Sequence, residues 1–351
     1  MAMHIRHILV AIGELQHAPR KELRKAATLA RAARAKVELF HAIDQPDPER
    51  SFPETATRAE AEQHRAAIAQ RCQRRLERFA RDPALRGVTV HCTASWDYPP
   101  HEAVIRRAQA LRSGLVIAAT RAHRPGARLL LRNTDWELIR HCPIPLLLVK
   151  SPRTYRRPAV LAAVDPFHRH ARPANLDARL LQAGGELARL LRGNLQVFHA
   201  FMPIVSVEPA LMAAAPLVMI PPAVEDVHTE QVTRTIEQLA RKAGIPRARC
   251  HIRMGEVADE LSAFVRRSGT SIVIMGAVSR SAIKRFFIGN AAERALDRLS
   301  CDVLIVKPRS FRSLIGVRAA ATARARRAPR VLARRPRGTA VALAAVPPPF
   351  L

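Results

Sequence analysis

Short unbroken apolar runs alternate along this chain with longer stretches whose apolar residues recur every three or four positions. The first run, His7–Ile12 (HILVAI), predicts a strand buried on both faces. An amphipathic helix is expected over about Lys21–Arg34, then a strand over Lys36–Ala42 and a proline-containing loop over Gln45–Pro53. Thr55–Arg81 reads as a long polar helix, Gly87–Cys92 as a strand, Pro100–Leu111 as a helix and Leu115–Ala119 as a strand. A helix from about Thr134 to His141 then leads to the strand Pro145–Lys150. After Ser151–Pro158 the same order returns. Strands are expected at Ala159–Val164, Leu195–Ala200, Ala248–Arg253, Ser271–Met275 and Asp302–Lys307, and helices at Asn175–Arg192, Glu225–Ala243, Glu256–Arg267 and Asn290–Leu299. Alternating strands and helices, with strands apolar throughout, imply an α/β fold whose parallel sheets are covered on both faces.

The recurrence is also visible residue by residue. Leu29–Ala42 (LARAARAKVELFHA) and Leu187–Ala200 (LARLLRGNLQVFHA) are identical at seven of fourteen positions. Leu129–Lys150 aligns with Phe286–Lys307 without a gap. The chain is therefore expected to hold two copies of one fold, each about 150 residues long. The boundaries read as domain one at 1–150, a linker at 151–158, domain two at 159–308 and a tail at 309–351.

Two stretches break the pattern. Phe201–Val224 is apolar, but Pro203, Pro209, Pro216, Pro221 and Pro222 bar a membrane helix, so it reads as a loop over the sheet or across the junction between the copies. A lid over an apolar pocket is the alternative. Arg309–Leu351 is rich in Ala, Arg and Pro without a period, and reads as a disordered basic tail. That tail carries ten arginines and no acidic residue, so the formal charge of +29 falls to +19 without it. Such a balance attracts phosphates and nucleic acid non-specifically, although no recognition motif is present and aromatics are only 4%. No signal peptide or membrane span is apparent, which points to the cytoplasm. The five cysteines form no C-x-x-C pair, and those in or beside strands read as buried, reduced thiols.

The chemistry concentrates after the fourth strand of the second copy, in Ile272–Leu296 (IVIMGAVSRSAIKRFFIGNAAERAL). There a small-residue loop leaves a strand and feeds a helix, where backbone N–H groups can hold phosphate. The stretch reads Gly276-x2-Ser279-x9-Gly289-Asn290. It resembles the G-x2-G-x9-G-[ST] motif of nucleotide-binding members of the universal stress protein family. The resemblance covers about residues 4–308 and extends to Trp96–Ile105, Asn133–Pro143 and Phe287–Pro308, as in tandem two-domain members.

That resemblance implies two flavodoxin- or Rossmann-like domains, each a five-stranded parallel sheet of order 3-2-1-4-5, with the cleft at the carboxyl ends of strands one and four. It also implies docking of the two copies through their last strands, as an intrachain pseudo-dimer. The family's nucleoside-facing carboxylate corresponds to Asp165, and Met275, Gly276 and Gly289 match the pattern. Ser279 and Asn290 depart from it. In the first copy the aligned residues are Gly13, Ala119, Ala122, Arg132 and Asn133, so the motif is lost. A non-glycine residue in a phosphate nest costs roughly 1–2 kcal/mol of strain and obstructs the ligand. ATP with Mg²⁺ is therefore expected, if anywhere, in the second copy.

Other candidates carry blander readings. Asp165-x2-His168-x-His170 lacks a fourth metal ligand. His41 and His199 repeat at equivalent strand ends and read as hydrogen-bonded structural residues. Arg121, His123, Arg124, Arg128 and Arg132 read as a solvated face, with an anion site built from side chains as the alternative, and Trp136 as core. No catalytic set is recognised. The expectation is a non-enzymatic stress-response protein that binds a small ligand or a protein partner. Its alternatives are an ATP-binding protein with slow hydrolysis and a nucleic-acid-associated basic protein.

Overall fold

The computed structural model describes residues 4–44, 57–120, 133–167, 175–202, 222–277 and 290–315. The first copy runs β1 (His7–Ala11), α1 (Arg20–Ala33), β2 (Lys36–Ile43), α2 (Arg58–Ala80), β3 (Val90–Trp96), α3 (Pro100–Ala110), β4 (Leu115–Ala119), α4 (Asn133–His141) and β5 (Leu146–Val149). The second runs β6 (Ala159–Ala163), α5 (Leu176–Leu190), β7 (Asn194–Phe201), α6 (Pro222–Lys242), β8 (Cys250–Met254), α7 (Val257–Ser268), β9 (Ile272–Gly276), α8 (Asn290–Arg298) and β10 (Asp302–Val306).

Local chemistry sets several of these limits. Thr57 and Glu60 start α2 with reciprocal bonds: the Thr57 side chain accepts from the Glu60 N–H, and the Glu60 carboxylate accepts from the Thr57 N–H at 2.8 Å. Gly269 ends α7 with φ +65°, a left-handed conformation that glycine adopts without strain.

Among the described residues one sheet of ten strands results, in the order β3-β2-β1-β4-β5-β10-β9-β6-β7-β8. Within each half all neighbours are parallel and the order is 3-2-1-4-5. The halves join where β5 and β10 pair antiparallel, with Leu148 opposite Val303, Leu147 opposite Leu304 and Leu146 opposite Ile305. Two edges that would otherwise be open thus cover each other. The apolar cores on the two faces also run through both copies. Leu147 and Leu304 enter one core with α1, α2, α5 and α6, whereas Leu146, Leu148, Val303 and Ile305 enter the other with α3, α4, α7 and α8. Both copies lie within one compact unit, Met1–Gly316.

Several elements differ from expectation. The third strand starts at Val90 and runs to Trp96, not Gly87–Cys92, because it follows β2 over Val37–Ile43. Thr93 and Ser95 disguise it in sequence. Its free edge is closed by Gln73 of α2, whose amide donates to Cys92 O at 3.1 Å and accepts from Ala94 N at 3.1 Å. Cys92 and Cys250 are half-buried rather than buried, since they lie on the edge strands β3 and β8; all five thiols are unpaired. Trp136 is half-buried against the core. The first tail residues are not detached, as Ile315 is buried in the core and Phe311 lies 4.6 Å beneath the Lys307 ammonium. Most of Phe201–Val224, the arginine run at 121–132 and the tail beyond 315 lie outside the described residues.

Candidate functional site

The order of each half-sheet puts the carboxyl ends of its first and fourth strands side by side. In the second copy these are β6 and β9, whose register places Ala162 beside Ile274. Asp165 therefore follows β6 next to the strand end that carries Met275 and Gly276. The Asp165 residue is exposed, and its N–H donates to Asp177 Oδ1 at 3.0 Å, tying the loop to the first turn of α5. Met275 is buried. Gly276 packs close to α5: a Cβ there would stand 2.6 Å from Leu176 Cδ2, so the Leu176 side chain would have to shift. Asn290 begins α8, while Ser279, Gly289, His168 and His170 lie outside the described residues. The strand order thus sets Asp165, Met275 and Gly276, three of the six candidate residues, at neighbouring strand ends.

The matching region of the first copy is built differently. Gly13 faces open space. Lys21 of α1 donates its ammonium to Thr120 O at 2.7 Å, across the end of β4. Arg75 of α2 donates to Leu15 O and Gln16 O, both at 2.8 Å, strapping the loop after β1. Ala119 closes β4 and Asn133 opens α4, whereas Ala122 and Arg132 lie outside the described residues.

The repeated histidines do equivalent work. His41 Nδ1–H donates to Ile12 O at 2.7 Å, and His199 Nδ1–H donates to Val164 O at 2.9 Å. A carbonyl can only accept, so each bond fixes the tautomer and locks the second strand to the end of the first.

Sequence reading missed the charged cluster at the junction. Asp302, fully buried, pairs with buried Lys25 of α1 at 2.8 Å. It also accepts from the Tyr155 hydroxyl at 2.5 Å and from the N–H groups of Lys150 and Ser151. Burial lowers the Lys25 pKa against the pull of Asp302, and burial raises that of Tyr155. Lys150 donates to Leu296 O in α8, and Lys307 donates to Arg140 O in α4 at 3.0 Å. Each copy's last lysine therefore crosses the junction to satisfy a last-turn carbonyl of the other copy's final helix. One signal was available in the repeats. Lys25 aligns with Ala183, Glu22 with Leu180, Thr120 with Ala277 and Asp302 with Pro145, so these buried polar residues belong to one copy only.

Among the described residues, no group of three or more His, Cys, Asp or Glu is placed to hold a metal ion. No described helix is long and apolar enough to cross a membrane.

Comparison with known proteins agrees with this architecture. The model of the universal stress protein family matches residues 4–150 and 160–307. Universal stress protein E of Escherichia coli K12 is 28% identical over 235 residues, spanning 65% of this chain and 71% of that protein. Its Haemophilus influenzae homolog is 25% identical over 248 residues, spanning 70% and 76%. The crystal structure of the functionally unknown protein PA1789 from Pseudomonas aeruginosa PAO1 superposes with a TM-score of 0.62 at 23% identity, over 92% of this chain and 98% of that one. A universal stress protein from Archaeoglobus fulgidus superposes with a TM-score of 0.58 at 13% identity, over 86% and 98%. At such identities the superpositions establish the fold.

Proposed function

This chain belongs to the universal stress protein family, and we propose that it acts in the cytoplasm as a non-enzymatic stress-response protein, by binding a ligand or a partner. The observation that carries this reading is the asymmetry of the two clefts. The second copy keeps an exposed carboxylate, Asp165, beside the Met275–Gly276 strand end. The first copy has no carboxylate at the matching Gly13, and its own Lys21 side chain reaches across the strand end to Thr120. A ligand site is therefore assigned to the second copy, and a scaffolding role to the first.

ATP with Mg²⁺ is the ligand that the retained residues favour. Asp165 would meet the nucleoside, with Met275 beneath it. The backbone around Gly276, Ser279, Gly289 and Asn290 would face the phosphates. Slow hydrolysis at this site is the second reading, favoured by the same carboxylate. Calorimetric titration with ATP and Mg²⁺ tests both, alongside a phosphate-release assay. Binding at one site per chain, abolished by Asp165→Ala and without phosphate release, supports the non-enzymatic reading. Release that Asp165→Ala also abolishes favours hydrolysis. No binding at all removes ATP and leaves a different ligand or a protein partner.

A further inference from the structure

Among the described residues, Asp302 is saturated and Lys25 is not. Four donors converge on the Asp302 carboxylate: Lys150 N–H at 2.9 Å, Ser151 N–H at 2.8 Å, the Tyr155 hydroxyl at 2.5 Å and the Lys25 ammonium at 2.8 Å. An ammonium has three hydrogens to give. Lys25 gives one to Asp302, and the Tyr155 ring lies 3.7 Å from its nitrogen. Although only 2% exposed, Lys25 lines a hollow of about 380 Å³ between the linker and the end of α7. That volume falls in the range of small-molecule sites, about 300–1,000 Å³.

The other walls combine apolar residues, Pro152 and Val265, with cationic and hydroxyl groups. Arg153 comes from the linker and Arg266 from the last turn of α7, and hydroxyls come from Ser151 and Ser271. Among the described residues, no carboxylate lines the hollow. The Lys25–Asp302 pair is neutral as a unit, so the two guanidiniums set the local charge. Neither has an acceptor for its side chain among the described residues. A guanidinium donates two parallel N–H bonds to two oxygens of a phosphate or carboxylate, and a phosphate dianion matches the charge of two guanidiniums.

We propose that this hollow binds the phosphate group of a small phosphorylated molecule or free phosphate, held by Arg153 and Arg266 over the Lys25 floor. The linker occurs once, so each chain has one such site. It lies where β9 and β10 begin, at the opposite end of the second half-sheet from Asp165, and so does not depend on the ATP reading. A bound phosphate would tie the linker to the second copy and brace the junction.

The test uses the full chain at constant ionic strength, titrated calorimetrically with inorganic phosphate and separately with glucose 6-phosphate. Saturable one-to-one binding of either is expected. Arg153→Ser and Arg266→Ser should each weaken it about tenfold or more, the loss of one charge-assisted contact. Both residues are exposed, so melting temperatures should not move, and Arg241→Ser on α6 should bind as wild type. Equal affinity for the two probes would identify free phosphate as sufficient, and tighter glucose 6-phosphate would identify the monoester. Asp165→Ala should leave both unchanged. Absence of saturable binding, or binding equally strong in the double variant, overturns the proposal whether or not ATP binds elsewhere.

Discussion

Leu147 and Leu304 are the same position of the repeat and lie directly opposite each other in the β5–β10 ladder. Their neighbours exchange reciprocally: Leu146 faces Ile305, the counterpart of Leu148, and Leu148 faces Val303, the counterpart of Leu146. A pseudo-twofold axis must pass between the two leucines. This is the isologous geometry of a symmetric dimer, made within one chain. Both leucines are buried, at 2% and 1% exposure.

Charge at this axis should undo the junction. The Leu147→Lys, Leu304→Lys variant places two ammoniums side by side in an apolar core, and each uncompensated buried charge costs several kcal/mol. We expect a melting temperature lower by more than about 10 °C and earlier elution in size exclusion. A variant as stable and compact as wild type would mean that the two copies do not hold together through these strands.

The pseudo-symmetric lysines give a pH signature. Burial pushes both Lys150 and Lys307 down to about 8, from an ordinary value of 10.5. Between those values the unfolded chain holds more protons than the folded one, so their contribution rises with pH from about 8 to about 10.5. Below pH 8 both states are protonated and the contribution stays at its unfavourable level. The buried thiols act in the opposite sense. Cys142 and Cys301 are raised to about 12, so the unfolded chain loses those protons first, from pH about 9 upward. A comparison therefore isolates the lysines. The stability of wild type relative to Lys150→Met, Lys307→Met should increase between pH 8 and 10, read as the difference in urea midpoint. A pH-independent difference would show that neither lysine titrates in this window.

Much of this architecture was legible because it depends on apolar runs. HILVAI and PLLLVK announce buried strands, and their recurrence announces two copies. The edge strand β3 was read too early because Thr93 and Ser95 interrupt its pattern, and the side chain that seals it, Gln73, comes from a helix. The Lys25–Asp302 pair was not legible from either residue alone. The partners lie in different copies, which meet at the β5–β10 ladder. At the cleft, the family resemblance points to Asp165, and the spacing of the small-residue loop points to Gly276. Spacing could not show that Gly276 packs against the Leu176 side chain, because that contact is made in three dimensions.

Truncation should distinguish the start of the tail from its remainder. Ile315 is buried and Phe311 stacks under Lys307, so residues 309–315 belong to the folded unit. Deleting 317–351 should leave the melting temperature nearly unchanged and reduce non-specific phosphate affinity, since most of the tail arginines lie there. Deleting 309–351 also exposes core surface at Ile315. Burial of one such side chain contributes about 2 kcal/mol, so a further drop of several degrees is expected. Equal melting temperatures for the two truncations would show that the Ile315 contact contributes nothing.

Restoring the phosphate loop is the sharpest test of the second copy. Gly276→Ala is a poor probe, since a Cβ 2.6 Å from Leu176 Cδ2 also shifts the Leu176 side chain whether or not a nucleotide binds. Ser279 and Asn290 are better, because they are the two departures from the family pattern within an intact nine-residue spacer. Ser279→Gly with Asn290→Ser relieves the backbone restriction, removes side-chain obstruction and supplies a small hydroxyl donor. Relief of about 1–2 kcal/mol should tighten ATP binding roughly tenfold, measured calorimetrically. The matching changes at Ala122 and Asn133 in the first copy should do little. That copy has Gly13 in place of the carboxylate, and Lys21 already reaches across its strand end to Thr120. Equal gains in both copies would detach the effect from Asp165 and point to non-specific attraction by a basic chain. No gain in the second copy would mean that the loop after β9 serves only to join a strand to a helix.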